Sequence, residues 1–274
     1  MMLFTNNEII AEAADRCGVD QVVIDLEMLG KSDRQKNFAN TRISAHQLSD
    51  VARIRPFIHT AELLVRINPI HEQSPAEIEQ VLAGGADIIM LPYFKTLTEI
   101  RTFLDLVKGR ARTCLLLETK EAEALIDEII ALGGFDSIQI GINDLAISKG
   151  LSFLFESLLQ PEFEPLCDKI RNAGIPFGFG GITRLEEGKV PSRFVIPEHY
   201  RLGSCQIILG RSFLSAEEVA ADPIQARDTL IQAVADVRSF EAGLADRPAS
   251  FFTENSRQLK AMIADVVEEI KARG

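Results

Sequence analysis

The sequence predicts an α/β fold, a (β/α)₈ TIM barrel with additional C-terminal helices, and three observations carry that expectation. Short apolar runs alternate with stretches of helical periodicity along most of the chain, the order that a parallel sheet covered by crossover helices requires. Eight such runs occur, which favours a closed barrel over an open doubly wound sheet. The length of 274 residues suits one barrel, a domain of roughly 250 residues, with some chain left over.

The elements follow in order. Met2 to Thr5 is a short first strand, and Asn7 to Cys17 is a helix that Gly18 ends. Val22 to Glu27, Leu63 to Asn68 and Ala86 to Pro92 are the next strands, each a buried run rich in β-branched and aliphatic residues. Helical spacing follows each, over Ala45 to Arg53, Pro75 to Ala83 and Thr98 to Val107. Ser74-Pro75-Ala76-Glu77 has a capping residue, a proline at the first helical position and an early acid, the pattern of a helix start. Cys114 to Leu117 and Ser137 to Gly141 are the fifth and sixth strands, Pro176 to Gly180 the seventh and Cys205 to Gly210 the eighth. Beyond Phe213 the pattern is helical only, over Glu217 to Phe240 and Asn255 to Ala272. The chain therefore divides into a barrel at 1–213 and a helical extension at 214–274 that packs on the barrel or on a neighbouring subunit, so a homo-oligomer is expected.

Composition narrows the functions. With 29 basic against 40 acidic residues and a net charge of −11, general affinity for nucleic acid or an anionic membrane is disfavoured, and a small anion would need a local basic site. Cys17, Cys114, Cys167 and Cys205 have no CxxC spacing, which argues against a zinc site or a disulfide framework and for a reducing cytoplasm. The opening Met-Met-Leu-Phe-Thr-Asn-Asn does not read as a targeting segment, and no apolar run reaches membrane-spanning length.

Two strands end in acids. Leu115-Leu116-Leu117 runs into Glu118-Thr119, and Ile138-Gln139-Ile140 into Gly141-Ile142-Asn143-Asp144. Ligands of α/β folds sit at the carboxyl ends of the strands, so both carboxylates belong to one mouth. Two hard oxygen ligands, with water or substrate completing the shell, suit a divalent metal such as Mg²⁺ or Mn²⁺. The structural alternative is that Glu118 caps the next helix while Asp144 makes an Asx turn. Arg66 interrupts the apolar third strand, where an unpaired buried charge is costly. It is either an oxyanion or carboxylate clamp, or the cation of a barrel-core ion pair with Glu27, Glu118 or another strand-end acid.

Ile24-Asp25-Leu26-Glu27, Leu64 to Asn68, Gly85 to Pro92, Leu116 to Thr119 and Ile140 to Ser148 occur in an order that resembles the HpcH/HpaI aldolase and citrate lyase β-subunit family over about residues 1 to 213. The resemblance implies a phosphoenolpyruvate/pyruvate-type barrel that makes or breaks carbon–carbon bonds beside a 2-oxo acid or an acyl thioester. It implies that Glu118 and Asp144 hold the metal and that Arg66 binds the oxo or carboxylate oxygen of the substrate. One departure stands out. Where the aldolase branch carries an acid/base histidine after Asp-x-Glu, this chain has Met28, which cannot transfer a proton.

Replacement groups can be ranked. Glu27 leaves its strand beside the proposed metal and is the first candidate base, and His199 in Pro197-Glu198-His199-Tyr200 is the second, although helix packing explains it better. His46, His59 and His71 read as surface residues. Lys31 and Arg34 on the loop after the second strand would bind a substrate carboxylate or form a solvated turn. Gly180 and Gly181 after the seventh strand would let an anionic substrate group approach the backbone or merely shape the strand exit, with Arg184 and Arg211 as further anion contacts. The expectation is a divalent-metal-dependent lyase, aldolase-like, acting on a small 2-oxo acid through a pyruvate-type enolate. The alternatives are a catalytically lapsed barrel that binds a small acid or a partner subunit, and an acyl-thioester lyase of the citryl- or malyl-CoA type, for which no extended basic track stands out.

Overall fold

Eight parallel strands close in sequence order, β1 (Met2–Phe4), β2 (Gln21–Asp25), β3 (Glu62–Arg66), β4 (Ile88–Leu91), β5 (Arg112–Leu117), β6 (Ser137–Ile140), β7 (Phe177–Ile182) and β8 (Gln206–Leu209), with β8 pairing back to β1. This is the expected (β/α)₈ barrel. The computed structural model describes residues 1–30, 46–210 and 213–273, so Lys31, Arg34 and Arg211 lie outside the described residues.

Outside the sheet run α1 (Glu8–Cys17), α2 (Leu48–Ile54), α3 (Ser74–Ala83), α4 (Leu97–Val107), α5 (Lys120–Ala124), α6 (Ile126–Leu132), α7 (Ile142–Ser148), α8 (Phe163–Asn172) and α9 (Ser192–Leu202). Local chemistry accounts for their ends. Asn7 caps α1 by accepting the Ile10 N–H at 3.2 Å, and Gly18 closes it in the left-handed conformation at φ 94°. Thr96 caps α4 in a reciprocal pair with Glu99. Ser74, read as the cap of α3, instead lies inside its first turn, where its hydroxyl accepts the His71 N–H at 2.9 Å.

The strand period of two divides the core. Val22, Ile24, Leu63, Val65, Ile89, Leu91, Leu115 and Leu117 face the helices in one large apolar layer. Met2, Val23, Leu64, Ile88, Met90, Cys114 and Leu116 fill the barrel interior, with Phe4 and Ile208 against them. Burying about seven such side chains at roughly 1.5–3 kcal/mol each makes this inner cluster a principal source of stability.

The helical extension differs from expectation at one point. The stretch read as a single helix from Glu217 breaks into α10 (Ala216–Ala221) and α11 (Pro223–Ala242). Pro223 cannot continue a helix from the preceding turn but suits a first helical position, and Asp222 caps α11 by accepting the Ile224 and Gln225 N–H groups, both at 3.0 Å. The last helix, α12 (Ala249–Arg273), starts just after Pro248. α11 packs on α1, while α12 packs on α9 and on the 3₁₀ turn Leu154–Leu159. Leu230, Val234 and Leu259, Ile263 join the main apolar layer, so the extension shares the core of its own barrel. Among the described residues no helix is long and apolar enough to cross a membrane.

Candidate functional site

β2 and β3 run in register with Asp25 opposite Arg66, and both side chains occupy the inward-facing row two positions above Val23 and Leu64. Arg66 donates from Nε to Asp25 Oδ1 and from Nη2 to Asp25 Oδ2, both at 2.8 Å, and its Nε lies 3.4 Å from Glu27 Oε2. The guanidinium also stands 5.2 Å from the Phe4 ring centroid, the inward residue of β1. Burial works against the charge, yet the carboxylates of Asp25, Glu27 and Glu118 outweigh it and raise the Arg66 pKa above its ordinary value. Arg66 thus makes the ion pair considered above, chiefly with Asp25. Only one edge of the fork is used. Nη1 has no hydrogen-bond partner among the described residues, and the side chain keeps 14% of its surface exposed.

Glu118 follows β5 and is buried, with Oε1 accepting the Tyr93 N–H at 3.0 Å. Tyr93 just beyond β4 has φ 50°, a left-handed conformation that a bulky residue adopts only when its surroundings enforce it. The other side of the carboxylate rests on Gly141. A Cβ there would meet Glu118 Oε2 at 2.7 Å and Glu118 Cβ at 2.8 Å, so only glycine lets this carboxylate lie over the start of α7. Asp144 stands in the first turn of α7, half-buried. The capping role considered for Glu118 belongs to its neighbour: Thr119 accepts the Ala122 N–H at 3.1 Å and donates to Phe94 O at 2.9 Å.

The donor set of Glu118 and Asp144, two hard carboxylates at adjacent strand ends, fits an oxygen-preferring divalent cation. Among the described residues no group of three or more His, Cys, Asp or Glu side chains is placed to form a cage. Any cation held there would draw the rest of its shell from ligand and water.

His46 is not the surface residue expected. Its Nδ1 accepts the Asp25 N–H at 3.0 Å, the side chain is half-buried, and burial is the main reason that its pKa falls below the ordinary histidine value. Sequence reasoning missed it because it lies 21 residues beyond Asp25 and no local spacing connects the two. Met28 turns outward and is 57% exposed, while Asn68 Oδ1 accepts the Met28 and Leu29 N–H groups at 2.9 and 3.0 Å. Asn68 is itself oriented by Glu77, whose Oε1 accepts its Nδ2–H at 2.7 Å.

The remaining candidates lie elsewhere. His199 is buried in the helix layer, stacked on Phe179 with ring centroids 3.7 Å apart and its Nδ1 2.7 Å from Ser204 Oγ, so it packs α9 and does not reach the mouth. Gly178 makes room for Gln139, whose Oε1 would be 2.4 Å from a Cβ there. Gly180 makes room for Ile142, at 2.6 Å, and Gly181 sits against the β8 backbone, at 3.0 Å from Ile208 O. Packing therefore explains the glycines of β7. Arg184 binds Glu218 at 2.8 Å and Phe213 O at 3.1 Å, which ties the barrel to α10.

The sequence matches the family described as HpcH/HpaI aldolase/citrate lyase over residues 1–156, a stretch that contains Asp25, Glu27, Arg66, Glu118 and Asp144. No curated protein matches the chain in sequence. Among solved structures, an HpcH/HpaI aldolase/citrate lyase family protein from Burkholderia cenocepacia J2315 superposes with a TM-score of 0.59 at 17% identity, covering 82% of this chain and 93% of its own. The HpcH/HpaI aldolase from Desulfitobacterium hafniense DCB-2 gives 0.57 at 15% identity, covering 82% and 90%. RipC from Yersinia pestis gives 0.55 at 17% identity, covering 84% and 93%. At these identities the likeness is one of fold.

Proposed function

The chain belongs to the HpcH/HpaI aldolase/citrate lyase family, a family of lyases and related enzymes, and from that premise we propose a divalent-metal-dependent carbon–carbon lyase acting on a small 2-oxo acid. The observation that carries the reading is Arg66, half-buried at the barrel mouth with one edge locked to Asp25 while Nη1 has no protein partner among the described residues. A guanidinium fixed in this way is oriented before any ligand arrives and offers N–H groups to a carboxylate or an enolate oxygen.

Glu118 and Asp144 would hold Mg²⁺ or Mn²⁺. When bound, such a cation supplies Lewis-acid polarisation of the 2-oxo group. The residues of the chain do the rest. Arg66 binds and orients the substrate carboxylate, and its charge persists at every physiological pH because Asp25, Glu27 and Glu118 favour the charged form. Tyr93 N–H and Gly141 hold the Glu118 carboxylate in place. Glu27 is a poor first choice as base, since its carboxylate is already engaged with the Arg66 guanidinium at 3.4 Å.

Exchange of pyruvate methyl protons in deuterated water tests the proposal, run with Mg²⁺, Mn²⁺ and Co²⁺ and followed by a panel of aldehydes. Metal-dependent exchange is the expected result. Its absence across all metals would leave the chain as a binder of small acids.

A further inference from the structure

α7 touches the segment that follows β5 at both of its ends. At its start Gly141 lies against Glu118, whose Oε2 is 2.7 Å from the place a Cβ would take. At its end Ser148 Oγ accepts the Lys120 N–H at 3.0 Å. Lys120 opens α5, two positions past Glu118, and its N–H is one of the first-turn donors that a helix cannot satisfy from within. Thr119 accepts the Ala122 N–H of the same turn, so one cap of α5 is local and the other comes from α7. Asp144 lies between the two contacts, four residues before Ser148, and residues four apart share one face of a helix. The face of α7 that carries Asp144 is therefore the face pinned beside Glu118.

A second tie runs beside the first. Lys149, directly after α7, donates from Nζ to Glu123 Oε2 on α5 at 2.8 Å. Both side chains are largely buried, at 14% and 13% exposure, and Glu123 Oε1 has no hydrogen-bond partner among the described residues. A charge pair shielded from water holds its spacing more firmly than one at the surface. Lys149 also binds Glu162, just before α8, and that carboxylate is 45% exposed. Its two partners thus lead to different elements, Glu123 to the helix behind Glu118 and Glu162 to a helix that carries no proposed ligand. We propose that Ser148 and Lys149 are positioning residues that fix the spacing of Glu118 and Asp144 by tying α7 to α5. This rests on the metal reading and adds what sets the size of the cation site. Fixed carboxylates favour a small cation that demands near-ideal geometry over Ca²⁺, whose longer bonds and irregular shell tolerate a looser site.

Calorimetric titration of Mn²⁺ and of Ca²⁺ into the metal-free protein tests this without any turnover. Glu123→Met breaks the tie to α5, while Glu162→Met removes the other partner of Lys149 and leaves that tie in place. Ser148→Ala removes a single hydroxyl and keeps the test open should Glu123→Met fail to fold. Glu123→Met and Ser148→Ala should each weaken Mn²⁺ binding by about tenfold and Ca²⁺ binding by less than about threefold, so that the preference for Mn²⁺ falls. Glu162→Met should keep both affinities within about twofold of wild type, because its loss leaves α5 and α7 joined. Lys149→Arg, which keeps a donor for Glu123, should retain more of the preference than Lys149→Met. An unchanged preference in Glu123→Met and Ser148→Ala would overturn the positioning role. So would a Glu162→Met variant that loses as much as Glu123→Met, or equal losses for the two ions that follow the melting temperature. Wild type that binds neither ion would instead overturn the metal reading, and this inference with it.

Discussion

Two layers of the same barrel interior lie two residues apart and are built from opposite chemistry. Val23, Leu64 and Leu116 form part of the apolar lower layer, and the next inward positions on the same strands are Asp25, Arg66 and Glu118. On the sixth strand Gln139 gives way to Gly141. The backbone is continuous through both layers, so the fold offers each row the same geometry and only the side chains differ. The lower row excludes water and holds the strands together. The upper row uses that rigidity to place charges that would be costly in a looser scaffold.

The sharpest test of the contrast compares Leu64 with Arg66. Leu64→Ala leaves a cavity in the lower layer and should cost roughly 2–5 kcal/mol in urea denaturation, with ligand affinity nearly intact. Arg66→Leu should cost about as much, roughly 3–5 kcal/mol, because Asp25 and Glu27 lose their cation, and it should also abolish oxalate binding. Retained oxalate affinity in Arg66→Leu would contradict the clamp.

Next come the carboxylates of the upper row and its extension on α7. Glu118→Gln and Asp144→Asn should lower metal-dependent pyruvate exchange by about 100-fold, equivalent to roughly 2.7 kcal/mol, with melting temperatures little changed. Gly141→Ala should approach the same loss, since its methyl group would strike the Glu118 carboxylate. Wild-type metal affinity by calorimetry in both carboxylate variants would remove the metal site.

A third test sets the helix layer against the mouth through pH. Burial holds the His199 pKa at about 3, well below its ordinary 6.5, so the unfolded chain takes up a proton below pH 6.5 that the folded chain refuses. Stability is therefore full above about pH 6.5 and falls as the pH drops toward 3, by roughly 2 kcal/mol at pH 5. His46, also lowered, acts in the same direction. His199→Phe should flatten the slope between pH 7 and 5, and a slope unchanged by that substitution would deny His199 this part.

The smallest expected effect is at Tyr93. Glycine tolerates φ 50°, so Tyr93→Gly should gain about 0.5–1 kcal/mol while keeping the N–H that Glu118 accepts. Tyr93→Pro removes that N–H and should lower exchange activity instead. A loss of stability in Tyr93→Gly would show that the ring, 5.1 Å from Lys95 Nζ, contributes more than the strain costs.

By itself the sequence determined the barrel, because hydrophobic periodicity is local and eight apolar runs alternating with helices leave few other topologies. It also marked Arg66, Glu118 and Asp144, since a charge that interrupts or ends an apolar run is visible without a partner. Even the break at Asp222-Pro223 was written in the chain, although helical spacing on both sides concealed it. What only the tertiary structure decided was pairing across distance. Asp25, and not Glu27, is the main partner of Arg66, because the register of β2 and β3 sets the two opposite each other. The glycines of β7 serve Gln139 and Ile142, residues of neighbouring segments. His46 reaches Asp25 where β1 stops short of it, and a vacant ladder position depends on where two strand ends fall in space.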